Sequence, residues 1–250
     1  MYFRTADGSG ALMLFDTPFL SGFTTRRGGV SGNGFASFNL YFGRGDEQSN
    51  VKKNFEIFRS KTAYSGPMVF VSQVHGAGVY HLEEAPAQDI TIPGYDGIMT
   101  SLKGVLCSVK FADCLPLLIY GKTYASIVHC GWRGCAKHVQ RTAVRMMKER
   151  GEDAADLKAV MGPHIGEEHY EVGPEVRTAF LENGFAKEIF SRRSGKDFLS
   201  LERAVRKDLA GCDIENVISV GEDTFSKDEL YYSYRRDGRA CGEMMMFFIL

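Results

Sequence analysis

The sequence predicts a mixed α+β fold. Three observations carry the prediction: short apolar runs of strand length, four stretches with the hydrophobic spacing of a helix, and glycine at 28 of 250 positions between them. No repeat, low-complexity tract or Pro/Gly/Ser-rich linker divides the chain, so residues 1–250 read as one domain. A hydrophobic content of 44% is ample for a buried core.

In chain order, the first twenty residues hold one apolar run, residues 11–15. It is too short for a signal-peptide core or a membrane span, so the expected location is the cytoplasm. Residues 23–40 read as a loop with short strands, in which Gly28-Gly29 and Gly32-Asn33-Gly34 accept tight turns. Asp46 is the expected cap of the first helix, whose Val51, Phe55 and Phe58 recur at helical spacing.

Residues 68–73 and 78–82 predict a strand pair with His75-Gly76 at or near the connection. Further strands are expected at 105–111, 117–120 and 125–128. The last delivers His129 to a helix over 135–150, with Val139, Ala143 and Met146 on one face and a stop at Gly151. A strand at 157–161 precedes a helix that starts at Pro174 and stops at Asn183-Gly184. Another helix spans 199–210 with Asp197 as its cap, and strands at 230–234 and 243–250 flank the polar loop 235–239.

Charge and cysteine usage narrow the function. A net charge of -1 lacks the basic excess that phosphate-backbone binding leaves, so neither nucleic acid nor membrane is the expected partner, and a small molecule is. Six cysteines, at 107, 114, 130, 135, 212 and 241, form no CxxC and no disulfide-scaffold density. They are expected as thiols or ligands in a reducing compartment.

Chemistry concentrates in His129-Cys130-Gly131-Trp132-Arg133-Gly134, which holds the one tryptophan of the chain. Upstream, Gln73-Val74-His75-Gly76 and Ala112-Asp113-Cys114-Leu115-Pro116 each end an apolar run with a potential ligand. His75, Cys114 and His129 satisfy the ligand count of a catalytic zinc, which takes three protein donors and keeps a fourth position open. Their separations of 39 and 15 residues match no local metal signature. Two other readings stay open: Cys114 as a nucleophile activated by His129, and ordinary buried thiols and histidines. Coordination ties up the sulfur lone pairs, so the metal and nucleophile readings exclude one another.

These segments, taken in order, resemble the YfiH-like or laccase-domain family, whose members are described as polyphenol oxidases and as purine nucleoside phosphorylases. The resemblance begins with Thr25-Arg26-Arg27-Gly28-Gly29-Val30-Ser31 and Ser37-Phe38-Asn39-Leu40. It runs through the three motifs above and Asp96-Gly97, then Gly162-Pro163-His164-Ile165-Gly166, Tyr170-Glu171-Val172-Gly173 and Ser233-Tyr234-Arg235-Arg236-Asp237. It implies a single domain of layered mixed sheets flanked by helices, and a zinc held by His75, Cys114 and His129. It also implies phosphorolysis of adenosine, inosine, guanosine or methylthioadenosine to base and pentose 1-phosphate, with deamination of adenosine to inosine.

Residue chemistry gives these activities candidates. Phosphorolysis needs an anion site, and Arg26, Arg133 and Arg235 supply guanidinium forks that bind phosphate oxygens in pairs. Deamination needs an activated water, whose pKa zinc lowers to about 7, and a proton shuttle, for which Asp113 is the candidate. Trp132 is placed to stack on a purine. Ser31, Asn39 and Gln73 are candidates for hydrogen bonds to ribose or base, and His164 for the wall of the same cleft. Cys130 stands where the family commonly has a small residue such as alanine, which puts a second thiol beside a proposed ligand.

Counting tests the laccase description. A multicopper site is built mainly from imidazoles, whereas this chain has six histidines and no His-x-His pair. Copper is therefore expected only as an adventitious substitute for zinc at His75, Cys114 and His129, with weak phenol oxidation. The remaining alternatives are a Cys114/His129 hydrolase, an enzyme that corrects peptidoglycan precursors, and a non-catalytic metal-binding module.

Overall fold

The computed structural model describes residues 3–5 and 8–250; residues 1–2 and 6–7 of the N-terminal segment lie outside the described residues. In chain order the strands begin with β1 (Phe3–Thr5), β2 (Leu12–Phe15) and β3 (Leu20–Thr24), followed by helix α1 (Gln48–Thr62). Next come β4 (Met68–Ser72), β5 (Val79–Leu82), β6 (Ile90–Pro93), β7 (Gly97–Thr100), β8 (Leu106–Phe111), β9 (Leu115–Tyr120) and β10 (Ala125–Cys130). Helices α2 (Trp132–Ala136) and α3 (Val139–Lys148) lead to β11 (Lys158–Met161), β12 (Glu171–Val172) and α4 (Pro174–Glu182). The chain closes with β13 (Phe190–Arg193), β14 (Lys196–Leu199), α5 (Leu201–Ala210), β15 (Asn216–Ser219), the short α6 (Tyr234–Asp237) and β16 (Met244–Ile249).

Two mixed sheets carry the fold. One has the order β1-β2-β3-β16-β8-β4-β6, the other β15-β11-β9-β10-β7-β5, and β12-β14-β13 form a small third sheet. The central strands are apolar on both faces because both faces are covered. On β9, Leu115, Leu117 and Ile119 pack with residues of α2 to α5, whereas Leu118 and Tyr120 join Val109, Phe111, Met244 and Met246 between the two sheets. On β16, Met245 and Phe247 turn to the opposite side, where they meet Phe58 of α1 together with Phe38 and Leu40. The result is four layers: helix, sheet, sheet, helices.

This confirms an α+β fold of mixed sheets flanked by helices, and it corrects five local expectations. Residues 68–73 and 78–82 are not a pair: β4 runs parallel to β6 and β8 in the first sheet, and β5 runs parallel to β7 in the second. The connection between them crosses from sheet to sheet. Asp46 does not cap α1; Glu47 holds the cap position without a side-chain bond, and the Asp46 carboxylate accepts from Ser31 Oγ and Asn39 Nδ2 instead.

The helix expected over 135–150 is two helices, broken at His138, whose φ of 59° is left-handed. Its core face is Val139, Ala143, Val144 and Met147, with Met146 only half-buried. Ser200, not Asp197, caps α5 by accepting from the Arg203 N–H, while Asp197 lies in β14 and pairs with Arg177. No strand forms at 230–234, because the N–H groups of Leu230 and Tyr231 both donate to the Lys227 carbonyl in a turn. Among the described residues, no helix is long and apolar enough to cross a membrane.

Candidate metal centre

Two of the sheet crossings build the centre. His75 lies on the connection from β4 to β5, and Cys114 on the three-residue connection from β8 to β9, so both stand where the chain leaves the first sheet for the second. His129 is supplied by β10, one residue before its end, in register with Pro116 of β9. The ligand atoms of the three residues lie within 4.8 Å of one another, and the two imidazole rings meet edge to face with centroids 4.8 Å apart.

Gly131 closes the centre from one side. A Cβ there would stand 2.5 Å from His75 Nδ1 and 3.2 Å from both Cys114 Sγ and His129 Cε1, so any side chain displaces the cluster.

Backbone shape at the centre is unusual and is held by two buried carboxylates. His75 has φ 56° and Asp113 φ 88°, conformations that cost non-glycine residues on the order of 1–3 kcal/mol each. Asp96, fully buried, accepts from the backbone N–H groups of Val74 (3.2 Å), His75 (2.9 Å) and Gly76 (2.6 Å) and meets His129 Nδ1 at 2.9 Å. One carboxylate thereby fixes the loop of the first histidine and the ring of the second. This leaves His129 Nε2 for the cluster, the arrangement by which a carboxylate orients a ligating imidazole. Asp113 accepts from Thr224 Oγ1 (2.7 Å) and the Arg235 N–H (2.6 Å), which pins the turn that presents Cys114.

The electrostatics favour a ligand-ready sulfur. Burial opposes charge on Cys114, but His129 beside it and hydrogen bonds from His129 and His75 outweigh burial and bring the thiol down to about 7. Burial likewise opposes charge on His129, yet the Cys114 sulfur and the Asp96 carboxylate raise it to about 10. Metal binding and nucleophilic attack both use a thiolate. What separates them is His75: a thiol–imidazole dyad needs one base, whereas here two imidazoles are directed at one sulfur. Two nitrogens and one sulfur match in number and type the three protein donors of a catalytic zinc.

The neighbouring thiols are a different matter. Cys130 and Cys135 are fully buried, and burial pushes both thiols up. They meet the side chain of Gln140 and read as small core residues.

The other residues singled out in the sequence fall into two groups. Two residues after Gly131, the Arg133 guanidinium lies 4.2 Å over the Trp132 ring, is exposed, and has no hydrogen-bond or acidic partner among the described residues. Arg235 lies 5.1 Å over the Tyr170 ring and donates to the carbonyls of His169 and Glu171. The remaining side chains are engaged internally. Arg26 donates to the carbonyls of Ala36 and Asp228, and Gln73 clamps the backbone of Lys110 at both ends of its amide.

Ser31 and Asn39 join Asp46 and the buried Asn54 in one network. His164 is buried with Nδ1 on the Gly162 carbonyl and Nε2 4.0 Å from Glu202.

Two residues escaped the sequence reading. Asp96 was visible only as part of an Asp-Gly pair, and nothing in side-chain pattern announces a carboxylate that collects backbone N–H groups. Tyr170, like Trp132, packs against the helical core, and burial together with the Cys114 sulfur raises its phenol. The remaining histidines are spoken for: His81 faces Glu83 and Arg150, His138 faces Asp208, and His169 faces Asp223. Among the described residues, His75, Cys114 and His129 are the one group of three that could hold a metal.

This arrangement has relatives. Residues 20–250 match the family described as multi-copper polyphenol oxidoreductase laccase. The chain is 32% identical over 228 residues to the purine nucleoside phosphorylase YfiH of Shigella flexneri, covering 90% of each chain. It is 31% identical over 243 residues to the purine nucleoside phosphorylase YlmD of Bacillus subtilis, covering 91% of this chain and 87% of that one. The crystal structure of YlmD from Geobacillus stearothermophilus superposes with a TM-score of 0.92 at 26% identity, over 99% of this chain and 98% of that one. The protein NMB0706 of Neisseria meningitidis does so with a TM-score of 0.85 at 30% identity, over 100% and 99%.

Proposed function

The chain belongs to the laccase-domain, YfiH-like family of purine nucleoside phosphorylases, and from that membership we propose that it is a zinc-dependent purine nucleoside phosphorylase that also deaminates adenosine. The observation that carries the reading is the convergence of His75, Cys114 and His129 under Gly131, with the guanidinium of Arg133, two residues along the chain from Gly131, having no acid to neutralise it. Zinc bound there supplies Lewis acidity toward an oxygen and a water of lowered pKa.

The residues divide the work as follows. Arg133 binds orthophosphate, because among Arg26, Arg133 and Arg235 it alone has no hydrogen-bond partner to give up. A phosphate oxygen then attacks the anomeric carbon, the bond to the purine nitrogen breaks, and the base leaves with the electron pair and takes up a proton. Trp132 and Tyr170 offer ring surface for the purine, and the Arg235 guanidinium holds Tyr170 in place. Asp113 holds the Cys114 turn, since both of its oxygens are occupied by Thr224 and Arg235.

A four-copper oxidase has too few imidazoles within reach, as four of the six histidines stand apart from the cluster with partners of their own. Copper at this centre is a substitute for zinc.

The test is adenosine turnover by metal-quantified protein, with and without orthophosphate, with adenine, inosine, hypoxanthine and ribose 1-phosphate separated by chromatography. Adenine with ribose 1-phosphate, formed only when phosphate is present and lost with the metal in Cys114→Ala, is the expected result. Inosine alone would reduce the proposal to a deaminase. No product from zinc-loaded protein would overturn it in favour of a Cys114/His129 hydrolase or a peptidoglycan-precursor enzyme.

A further inference from the structure

On the outer side of α3, away from the face that packs on β10, the surface sinks into a groove of about 400 Å³. It runs between α3 and the turn that follows α5, within the size range of small-molecule sites. We propose that this groove binds a small anion bearing two or more phosphoryl groups, at a site separate from the metal centre.

The periodicity of α3 produces the groove's charge. Val139, Ala143, Val144 and Met147 are buried, which leaves Arg141, Arg145 and Lys148 on the opposite face at i, i+4 and i+7. At a rise of 1.5 Å per residue these three cations are spread over about 10 Å, with Lys137 extending the row beyond the break at His138.

Two of the four cations are already matched. Arg145 pairs with Glu149 at 2.8 Å, and Arg141 with the fully buried Asp208 at 2.7 Å. Asp208 also takes hydrogen bonds from His138 and Gln140, so the Arg141 guanidinium is held from the protein side while the groove keeps its other edge. Opposite it stands Gly211, where even a Cβ would approach Arg141 Nη2 no closer than 3.5 Å. Lys137 and Lys148 have no acidic partner among the described residues, and they flank this anchored guanidinium within one concavity.

A fixed fork between two free ammonium groups suits a chain of phosphoryl groups. A single negative charge would not outweigh Glu149 and Asp213, which also line the groove. The one aromatic ring in its lining, the His138 imidazole, is stacked on Phe185 and bonded to Asp208 and the Asn183 carbonyl, so recognition falls on phosphate and not on a base.

The experiment is calorimetric titration of the metal-loaded protein with inorganic tripolyphosphate, with orthophosphate and a short single-stranded oligonucleotide in parallel. Metal is quantified before and after, because tripolyphosphate itself ligates zinc. We expect one saturable tripolyphosphate site that weakens as salt rises, and affinity lowered on the order of ten-fold in Lys137→Glu/Lys148→Glu. Metal content and nucleoside turnover of that variant should be unchanged, which keeps this result independent of the proposed reaction. If the double variant does not fold, Lys137→Gln/Lys148→Gln should show a smaller loss in the same direction. Absence of saturable binding, equal affinity in the variants, or binding of the oligonucleotide alone would overturn the proposal.

Discussion

Two regions of this molecule are equally rich in motif residues and behave in opposite ways. In the network around Asn54, every conspicuous polar group is answered from within. The Asn54 amide donates to Ser31 Oγ and to the carbonyls of Ser37 and Asn39, its oxygen accepts from Val30 N–H, and Asp46 takes Ser31 and Asn39. In the candidate metal centre, three potential ligand atoms lie close to one another, while Asp96 and Asp113 absorb the surrounding backbone N–H groups. The first region is a lock for the glycine-rich loop on α1. The second is a set of two imidazoles and a thiol that answer chiefly one another. Motif density alone does not mark a site; potential ligand atoms converging on one point, held by carboxylates that answer the backbone, do.

The contrast is most severely tested at Gly131. Replacing it with alanine puts a methyl group 2.5 Å from His75 Nδ1, and we expect bound metal to fall to a small fraction of one per chain while the far-ultraviolet circular dichroism is retained. Full occupancy in Gly131→Ala would mean that the cluster assembles elsewhere.

A smaller effect is expected at Asp96. Asp96→Asn keeps the shape but replaces one acceptor oxygen with a donor nitrogen facing N–H groups, and metal affinity, measured by competition with a chelator, should drop about 10–100-fold. Unaltered affinity would show that the loop of His75 holds itself.

The smallest effect on the metal belongs to the other region. Asn54→Ala removes the partners of the Val30 N–H and the Asn39 carbonyl, and should lower unfolding free energy by roughly 1–3 kcal/mol with metal stoichiometry unchanged. Loss of metal in this variant would erase the distinction between lock and site.

Much of this was legible in the sequence, for identifiable reasons. Strands β8, β9, β10 and β16 are apolar runs, α1 carries helical spacing and α4 starts at Pro174 and stops before Asn183-Gly184, so pattern located them, whereas the caps of α1 and α5 were misassigned. The three ligands were legible because their residue types are few and each ends such a run.

What was hidden is what pattern cannot encode. Residues 68–73 and 78–82 have the apolar content of strands in either a hairpin or two different sheets, and only tertiary packing chose the second. The break at His138 depends on hydrogen bonds from its ring to Asp208 and to the Asn183 carbonyl, both distant in sequence. Ser31 and Asn39 carry the same polar atoms whether they meet a nucleoside or an asparagine on α1. Asp96 works through backbone groups that every residue possesses.

The placement of the ligands on the sheet crossings also fixes an order of events. His75 and Cys114 meet only when β4 and β8 have joined the first sheet and β5 and β9 the second, and His129 arrives with β10. The pairing of β9 with β10 is local, but that of β4 with β8 joins separated parts of the chain, and such pairings form late because loop closure precedes their reward. The two sheets therefore assemble before the three side chains converge, so an ion bound there would be loaded after folding and would not nucleate it.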